Sequence, residues 1–97
     1  TTATHSDGSD VCPGDAASQT TYILDKIAAS ISALGGSLDD VVRTRIYVTR
    51  EEDWEAVSRV HGSYFGDVRP ANSLVVVAGL IGGYLVEIEA EAVVQDG

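Results

Sequence analysis

The chain has 97 residues, which allow one domain with a modest core and leave no room for a second domain. Its 15 acidic and 6 basic residues give a formal net charge of −9. This balance argues against nucleic acid and against anionic membranes as partners, because both need clustered positive charge. A single cysteine excludes an intramolecular disulfide and a multi-cysteine zinc site. We expect a cytoplasmic globular domain, and no motif in the sequence points to a metal or a cofactor.

The first predicted helix follows a turn-rich connector over residues 6–15, which contains two turn dipeptides. Asp15 is suited to cap a helix that starts at the next residue, because its carboxylate can accept hydrogen bonds from free backbone N–H groups of the first turn. Gly35 supplies the left-handed residue that commonly ends a helix. Between these two positions apolar side chains recur at helical spacing, at Ile23, Leu24, Ile27, Ile31 and Leu34.

A capped turn at residues 37–40 leads into a predicted strand over residues 41–49. Side chains along this strand alternate in character, as they do when the two faces of a sheet have different surroundings. One face carries Val42, Thr44, Ile46 and Val48, and the other carries Arg43, Arg45 and Tyr47.

A second helix is predicted after Thr49, which we interpret as its N-cap. Three acidic residues follow in the first turn, where the helix dipole favours negative charge, and Gly66 ends the helix. Within its apolar stripe, Trp54 and Tyr64 are interpreted as core anchors. His61 is interpreted as a hydrogen-bonded histidine of the core or of an interface. The stripe as a whole contains Trp54, Val57, Val60, His61 and Tyr64.

Two further strands are predicted in the last part of the chain. Residues 73–80 are apolar on both faces in the middle of the segment, which is typical of a central strand. Residues 84–94 alternate between apolar side chains and three glutamates. The first five residues are interpreted as the tail of a fourth strand. The order of elements predicts an α+β two-layer sandwich, with two helices on one face of a narrow sheet that needs a partner chain.

The three glutamates Glu87, Glu89 and Glu91 are the most unusual feature of the sequence. A solvated sheet face is one interpretation. The alternation of Arg43 and Arg45 on another strand suggests instead that cross-strand Arg–Glu pairs relieve the repulsion. If this face meets another subunit, a glutamate becomes a partly buried acid and a candidate general acid or base. The two remaining reactive side chains, His5 and Cys12, are interpreted as loop residues.

The sequence resembles the RidA/YjgF family, the reactive-intermediate deaminases, over nearly its whole length. The resemblance rests on the stretches DAASQTTYILDKIAASISALGGS, SLDDVVRTRIYVT, YFGDVRPANSLVVVAGL and LVEIEAEAVV. It implies a chorismate-mutase-like fold, assembled as a homotrimer with ligand clefts between subunits. It also implies hydrolysis of enamines and imines to ammonia and a 2-keto acid, without a metal or an organic cofactor.

The resemblance also assigns site residues, with two departures from the family. Asn72 stands where deaminating members have an arginine that binds the substrate carboxylate, and Leu74 stands where many have a cysteine. Glu87 matches the glutamate that positions water, and Asn72 and Ser73 are expected to contact the substrate. The second departure is at Thr1, ahead of which family members have about thirty more residues that form two strands.

Three hypotheses about function follow from these residues. The first is a trimeric RidA-like hydrolase that acts on a small imine, enamine or related C–N compound. The second is a self-cleaved hydrolase in which the amine of Thr1 activates its own hydroxyl, Glu87 holds the amine or a water, and Asn72 binds an oxyanion. In that case the upstream strands would stay bound as a separate peptide. The third is a trimer that binds a small metabolite without catalysis.

Overall fold

The structure, a computed structural model, describes residues 1–4, 14–66, 68 and 70–94. Two short 3-10 helices, at Leu38–Asp40 and Glu51–Asp53, precede a strand and a helix respectively. Residues 6–13 of the predicted connector, which include Cys12, lie outside the described residues, as does His5. Within the described part the regular elements are α1 (Ala16–Ala33), β1 (Val41–Val48), α2 (Trp54–Phe65), β2 (Ala71–Val76) and β3 (Val86–Ala92).

Helix α1 forms as predicted at its start and ends slightly earlier than predicted. The Asp15 carboxylate accepts a hydrogen bond of 3.0 Å from the backbone N–H of Ser18, which confirms Asp15 as the N-cap. The same hydrogen bond lowers the pKa of Asp15. Leu34, predicted on the apolar stripe, is the C-cap and is exposed, because the helical backbone ends before it. None of the described helices is long and apolar enough to cross a membrane.

The sheet places β1 in the centre, which corrects the prediction that residues 73–80 form the central strand. Its order is β2-β1-β3, with β2 parallel and β3 antiparallel to β1. Strand β2 is therefore an edge strand, and it covers only residues 71–76. Val75 and Val76 are 42% and 49% exposed. Leu74 of β2 packs partly against the core, whereas Val75 and Val76 remain largely uncovered by the described residues.

One face of the sheet packs against the two helices and forms the core. Thr44, Ile46 and Val48 of β1 are buried on this face. Val42, predicted on the same face, is exposed, and Val41 is buried in its place. The cause is a β-bulge between Val41 and Arg43, which shifts the register and reverses the direction of the side chain between them.

Helix α2 differs from its prediction at its N-terminus and in its buried face. Thr49 does not cap this helix, because a 3-10 turn lies between them. Arg50 is the N-cap of that turn, and its side chain makes no capping hydrogen bond. The Arg50 side chain instead pairs with Asp53 at 2.8 Å. Trp54, predicted as a core anchor, is 53% exposed, and Phe65 is the buried aromatic residue of this helix. The large ring at the first position of α2 points away from the core.

The first residues of the chain run antiparallel to β3, as predicted for the tail of a fourth strand. The amine of Thr1 donates a hydrogen bond of 2.9 Å to the carbonyl of Ile88, and the N–H of Ile88 donates one of 3.0 Å to the carbonyl of Thr1. A single bridge joins Thr2 to Glu87. Lys26 Nζ, on α1, donates to the carbonyl of Thr2 at 3.3 Å. These bonds anchor residues 1–4 at the edge of β3.

Candidate functional site

A line of three polar side chains crosses the helix-covered face at the β2 end of the sheet. The hydroxyl of Thr44 lies 2.8 Å from Nε2 of His61 and donates a hydrogen bond of 3.0 Å to Oδ1 of Asn72. The strand register explains the second contact, because Thr44 and Asn72 are direct neighbours in the parallel pair β1–β2. We call these three residues the polar relay. It connects α2 to the exposed edge strand through the central strand.

His61 is held in the polar relay by packing as well as by its hydrogen bond. It is 7% exposed, and its ring lies 4.7 Å from the ring of Phe65. Burial lowers the pKa of His61, because the charged imidazolium loses its hydration there. The structure therefore confirms the interpretation of His61 as a hydrogen-bonded, buried histidine.

The polar relay borders a cleft between the end of α2 and the start of β2. The cleft has a volume of about 260 Å³. Asn72 is exposed at its edge, while the ring of Phe65 supplies apolar wall. A cleft of mostly apolar character with one or two oriented polar groups is the usual form of a small-ligand site. Its described lining consists of His61, Gly62, Phe65, Gly66, Pro70 and Asn72.

Ser73 does not share this cleft with Asn72. Successive side chains of a strand point to opposite faces, and Ser73 stands beside Arg45 in the register. Ser73 therefore lies on the outer face, the face of the sheet that the helices do not cover. The two predicted substrate contacts are neighbours in sequence and are separated by the sheet itself.

Glu87 also lies on the outer face, where it is half-buried beside Tyr47 of β1. The other two glutamates continue along β3, with Glu89 opposite Arg45 and Glu91 opposite Arg43. This register confirms the predicted alignment of the arginines with the acids. The ion pairs within 4 Å among the described residues lie elsewhere, at Arg50 and Arg59.

The charges on the outer face interact through Tyr47 rather than through close ion pairs. The hydroxyl of Tyr47 lies 3.4 Å from Oε1 of Glu89. The pKa of Arg45 is raised, first by a hydrogen bond with the side chain of Tyr47 and further by the charges of Glu89 and Glu91. Among the described residues, no group of three or more metal-binding side chains is close enough to hold an ion.

Thr1 lies at the β3 edge of the sheet, close to Glu87 along the same ladder. Its amine is engaged with the carbonyl of Ile88, so the group that would activate the Thr1 hydroxyl is already a hydrogen-bond donor in the sheet. Thr1 also borders a groove of about 290 Å³ between α1 and β3, which is lined with Ile27, Ser30, Ile31, Leu34, Ala90 and Ala92.

Asn72 and Glu87 are far apart within one chain. The register separates them by two strand spacings and three residue steps, roughly 14 Å between their backbones. They also point to opposite faces, because Asn72 contacts the buried Thr44 and Glu87 stands beside Tyr47 on the outer face. A small ligand cannot touch both side chains of the same chain. Thr1 lies near Glu87 and, like it, at the edge opposite Asn72.

Sequence reasoning missed Thr44 and Tyr47 as parts of these two sites. The signal for Thr44 was its position in an otherwise aliphatic row of β1, since a buried hydroxyl requires a partner. Tyr47 stood in the same alternation as Arg43 and Arg45, on the face opposite Thr44. Neither partner could be named from sequence, because each comes from another element.

Comparison with known proteins places the chain in a family. The family model for endoribonuclease L-PSP matches residues 1–94. The 3-aminoacrylate deaminase RutC of Acinetobacter baylyi is 38% identical over 79 residues, which are 81% of this chain and 63% of that protein. A RutC family protein of Pyrococcus horikoshii is 36% identical over 83 residues, 86% of this chain and 66% of that protein. The chain thus spans less than two thirds of the length of these curated relatives.

Solved structures give the same result. A YjgF family member from Mycobacterium tuberculosis is 49% identical, with a TM-score of 0.80 over 82% of this chain and 69% of that one. The YjgF gene product of E. coli is 33% identical, with a TM-score of 0.81 over 91% of this chain and 70% of that one. The chain therefore belongs to the endoribonuclease L-PSP family, that is, to the RidA/YjgF proteins whose motifs its sequence resembles.

Proposed function

We propose that this protein is a cytoplasmic RidA-like hydrolase, which acts on a small imine or enamine at clefts between the subunits of a homotrimer. The proposal rests on Glu87, which is half-buried and stands where the family has its water-positioning glutamate. The chain is 38% identical to a 3-aminoacrylate deaminase. The family model is named for an endoribonuclease. A net charge of −9 disfavours the phosphate contacts that RNA binding requires, and supports a small substrate instead.

The chemistry requires one water and one group that moves a proton. Water adds to the carbon of the C=N bond, and the carboxylate of Glu87 accepts its proton as the C–O bond forms. Glu87 returns this proton to the nitrogen, which gives a carbinolamine. It then moves the hydroxyl proton of the carbinolamine to the nitrogen as the C–N bond breaks and the C=O bond forms. The products are a carbonyl compound and ammonia, so the sum is C=NH plus H2O giving C=O plus NH3. An enamine enters this sequence after protonation on carbon to the imine.

The separation of Asn72 from Glu87 supports a site shared between chains. A ligand held by Asn72 can reach a glutamate only if that glutamate comes from another copy, because the two side chains of one chain lie on opposite faces. The outer face and the exposed edge of β2 are the surfaces available for such an assembly. Asn72 would donate a hydrogen bond to the substrate, as a neutral substitute for the family's arginine.

The first test measures ammonia release from 3-aminoacrylate generated in the assay, with the uncatalysed rate subtracted. We expect Glu87→Gln to reduce kcat about 100-fold or more, because the amide cannot accept the proton. The matched control is Glu91→Gln, which changes a glutamate of the same strand and face and should leave the rate within about 2-fold. Equal rates for Glu87→Gln and the unaltered chain would remove Glu87 from the mechanism.

A second test asks whether the site is shared. Asn72→Ala and Glu87→Gln are each prepared alone, then mixed in equal amounts, unfolded and refolded together. In a random trimer about a quarter of the clefts receive Asn72 from one chain and Glu87 from its neighbour, so about a quarter of the activity should return. Refolding each variant alone is the control. No recovery on mixing, with trimers formed, contradicts a shared cleft.

A further inference from the structure

We infer that Thr44 and His61 are positioning residues that fix the Asn72 amide with its NH2 group toward the cleft. The cleft then binds a ligand through an acceptor oxygen, whether of a carboxamide, a ketone or a carboxylate. This inference rests on the proposed function only in assuming that substrate uses the Asn72 cleft. The orientation of the amide is a property of the chain itself.

The direction of the hydrogen bonds in the polar relay fixes the amide. A threonine hydroxyl has one proton, and that of Thr44 is donated to Oδ1 of Asn72. Thr44 must therefore accept from His61, so Nε2 of His61 carries a proton. With Oδ1 turned inward to Thr44, the Nδ2 group of Asn72 faces outward. The reverse arrangement, with an unprotonated Nε2, would turn the Asn72 oxygen outward instead.

Burial makes this arrangement stable. Thr44 is 1% exposed and His61 is 7% exposed, so neither can exchange its partner for bulk water without cost. Asn72 itself is exposed, which leaves its NH2 group available to a ligand. The inner end of the relay is thus fixed between α2 and β1, and only the outer end is free.

The chemical class of the ligand follows from a neutral donor at this position. An arginine selects a carboxylate by charge and by two parallel hydrogen bonds, whereas one amide donates without charge. The cleft should therefore accept a carboxamide about as well as a carboxylate of the same shape. It should reject an ammonium group, which has no lone pair to accept the bond.

The orientation is tested by the ¹⁵N chemical shifts of the His61 ring in the full chain. We expect the protonated-type shift on Nε2 at neutral pH. Thr44→Ser keeps the hydroxyl and should preserve this tautomer, while Thr44→Val removes the hydroxyl and should abolish the preference. The matched control is Thr20→Val, since Thr20 is also buried and its hydroxyl donates a hydrogen bond to the carbonyl of Ala16 in its own helix. A protonated Nδ1 with a bare Nε2 in the unaltered chain would overturn the inference, and this reading does not depend on enzyme activity.

The ligand class is tested by titration with propionamide, propionate and propylammonium, following the side-chain NH2 signals of Asn72. Propionamide and propionate should shift these signals with dissociation constants within about 5-fold of each other, and propylammonium should not shift them.

If deamination is observed, Thr44→Val should raise KM about 3- to 10-fold with little change in kcat. A chain that shows the Nε2 tautomer but no deamination loses the proposed function and keeps the inference. Shifts caused by propylammonium alone contradict the inference.

Discussion

The two faces of the sheet are built from the same strands and have opposite character. On the helix-covered face, Ile46, Val48 and Ile88 are fully buried. On the outer face, one position along the same strands, arginines and glutamates stand opposite each other without a close ion pair among the described residues. The first face stabilises the fold of one chain. The second contributes little to that fold and keeps groups that can act on a ligand or on another copy.

The polar relay is the exception that links the two roles. On the helix-covered face, Thr44 and His61 are buried and hydrogen-bonded to each other, whereas their neighbours on this face are mainly aliphatic. The outer end of the polar relay, Asn72, lies on the edge strand, where the side chains of Val75 and Val76 are exposed. A buried polar group at such a position is retained at some cost in stability, which is typical of residues that serve a site.

The largest expected effect separates the two faces at adjacent residues of β3. Ile88→Ala leaves a cavity in the core and should lower the free energy of unfolding by about 2–5 kcal/mol. Glu89→Ala, one position later on the outer face, should change it by about 0.5 kcal/mol or less. Urea denaturation of both variants measures the difference. Similar losses for the two would contradict the assignment of the fold to one face.

The next effect concerns assembly. Arg45→Glu makes the outer face acidic around Glu89 and Glu91, so subunits that meet there would repel. We expect light scattering to show dissociation of the proposed trimer at concentrations about 10- to 100-fold higher than for the unaltered chain. Arg59→Glu is the control, because Arg59 lies on α2 and pairs with Glu55 within one chain. If both variants keep the assembly of the unaltered chain, the outer face is not the contact.

A smaller effect is the pH dependence that His61 gives to the buried face. Burial lowers its pKa in the folded chain below the ordinary value of 6.5, so the unfolded chain binds the proton first. Stability should therefore fall as the pH decreases from about 6.5 toward the lowered pKa of the folded state. His61→Gln should flatten the slope of unfolding free energy against pH in this window. An unchanged slope would show that His61 titrates normally.

The smallest effect lies at the surface between the helices. The hydroxyl of Tyr64 donates a hydrogen bond of 2.6 Å to Asp25, and this bond raises the pKa of Tyr64 to about 12. The contribution is present below the ordinary pKa of 10 and lost as the pH rises through the raised value. Tyr64→Phe should cost about 0.5 kcal/mol at neutral pH, because the hydrogen bond lies at the solvent-exposed surface. Ultraviolet titration should lose its highest tyrosine transition in this variant.

Much of the helix-covered face was predictable because its signals are local. Asp15 as the N-cap of α1, the ends of β1 and the alternation of β3 each depend on residues close in sequence. The errors arose where another element decides the outcome. The β-bulge exchanged Val42 for Val41, and the helix register left Trp54 exposed.

For the candidate site, too, the residue types could be predicted from sequence and their arrangement in space could not. Residue types at Asn72 and Glu87 were visible in the sequence, together with their correspondence to the family's motifs. Their separation was not visible, because β2 and β3 are consecutive strands that flank β1 instead of pairing with each other. The strand order placed the two residues at opposite edges. Alternation of side chains then placed them on opposite faces.

The sequence by itself determined the type and order of the helices and strands, although β2, predicted over residues 73–80, covers 71–76. Periodicity and capping depend on a few consecutive residues, so they can be recognised from a short stretch of sequence. Only the tertiary structure decided that β1 is central, that Thr44 joins His61 to Asn72, and that Glu87 stands beside Tyr47. These results depend on pairing between distant segments, where many registers satisfy the same local pattern and only packing of the whole chain selects one.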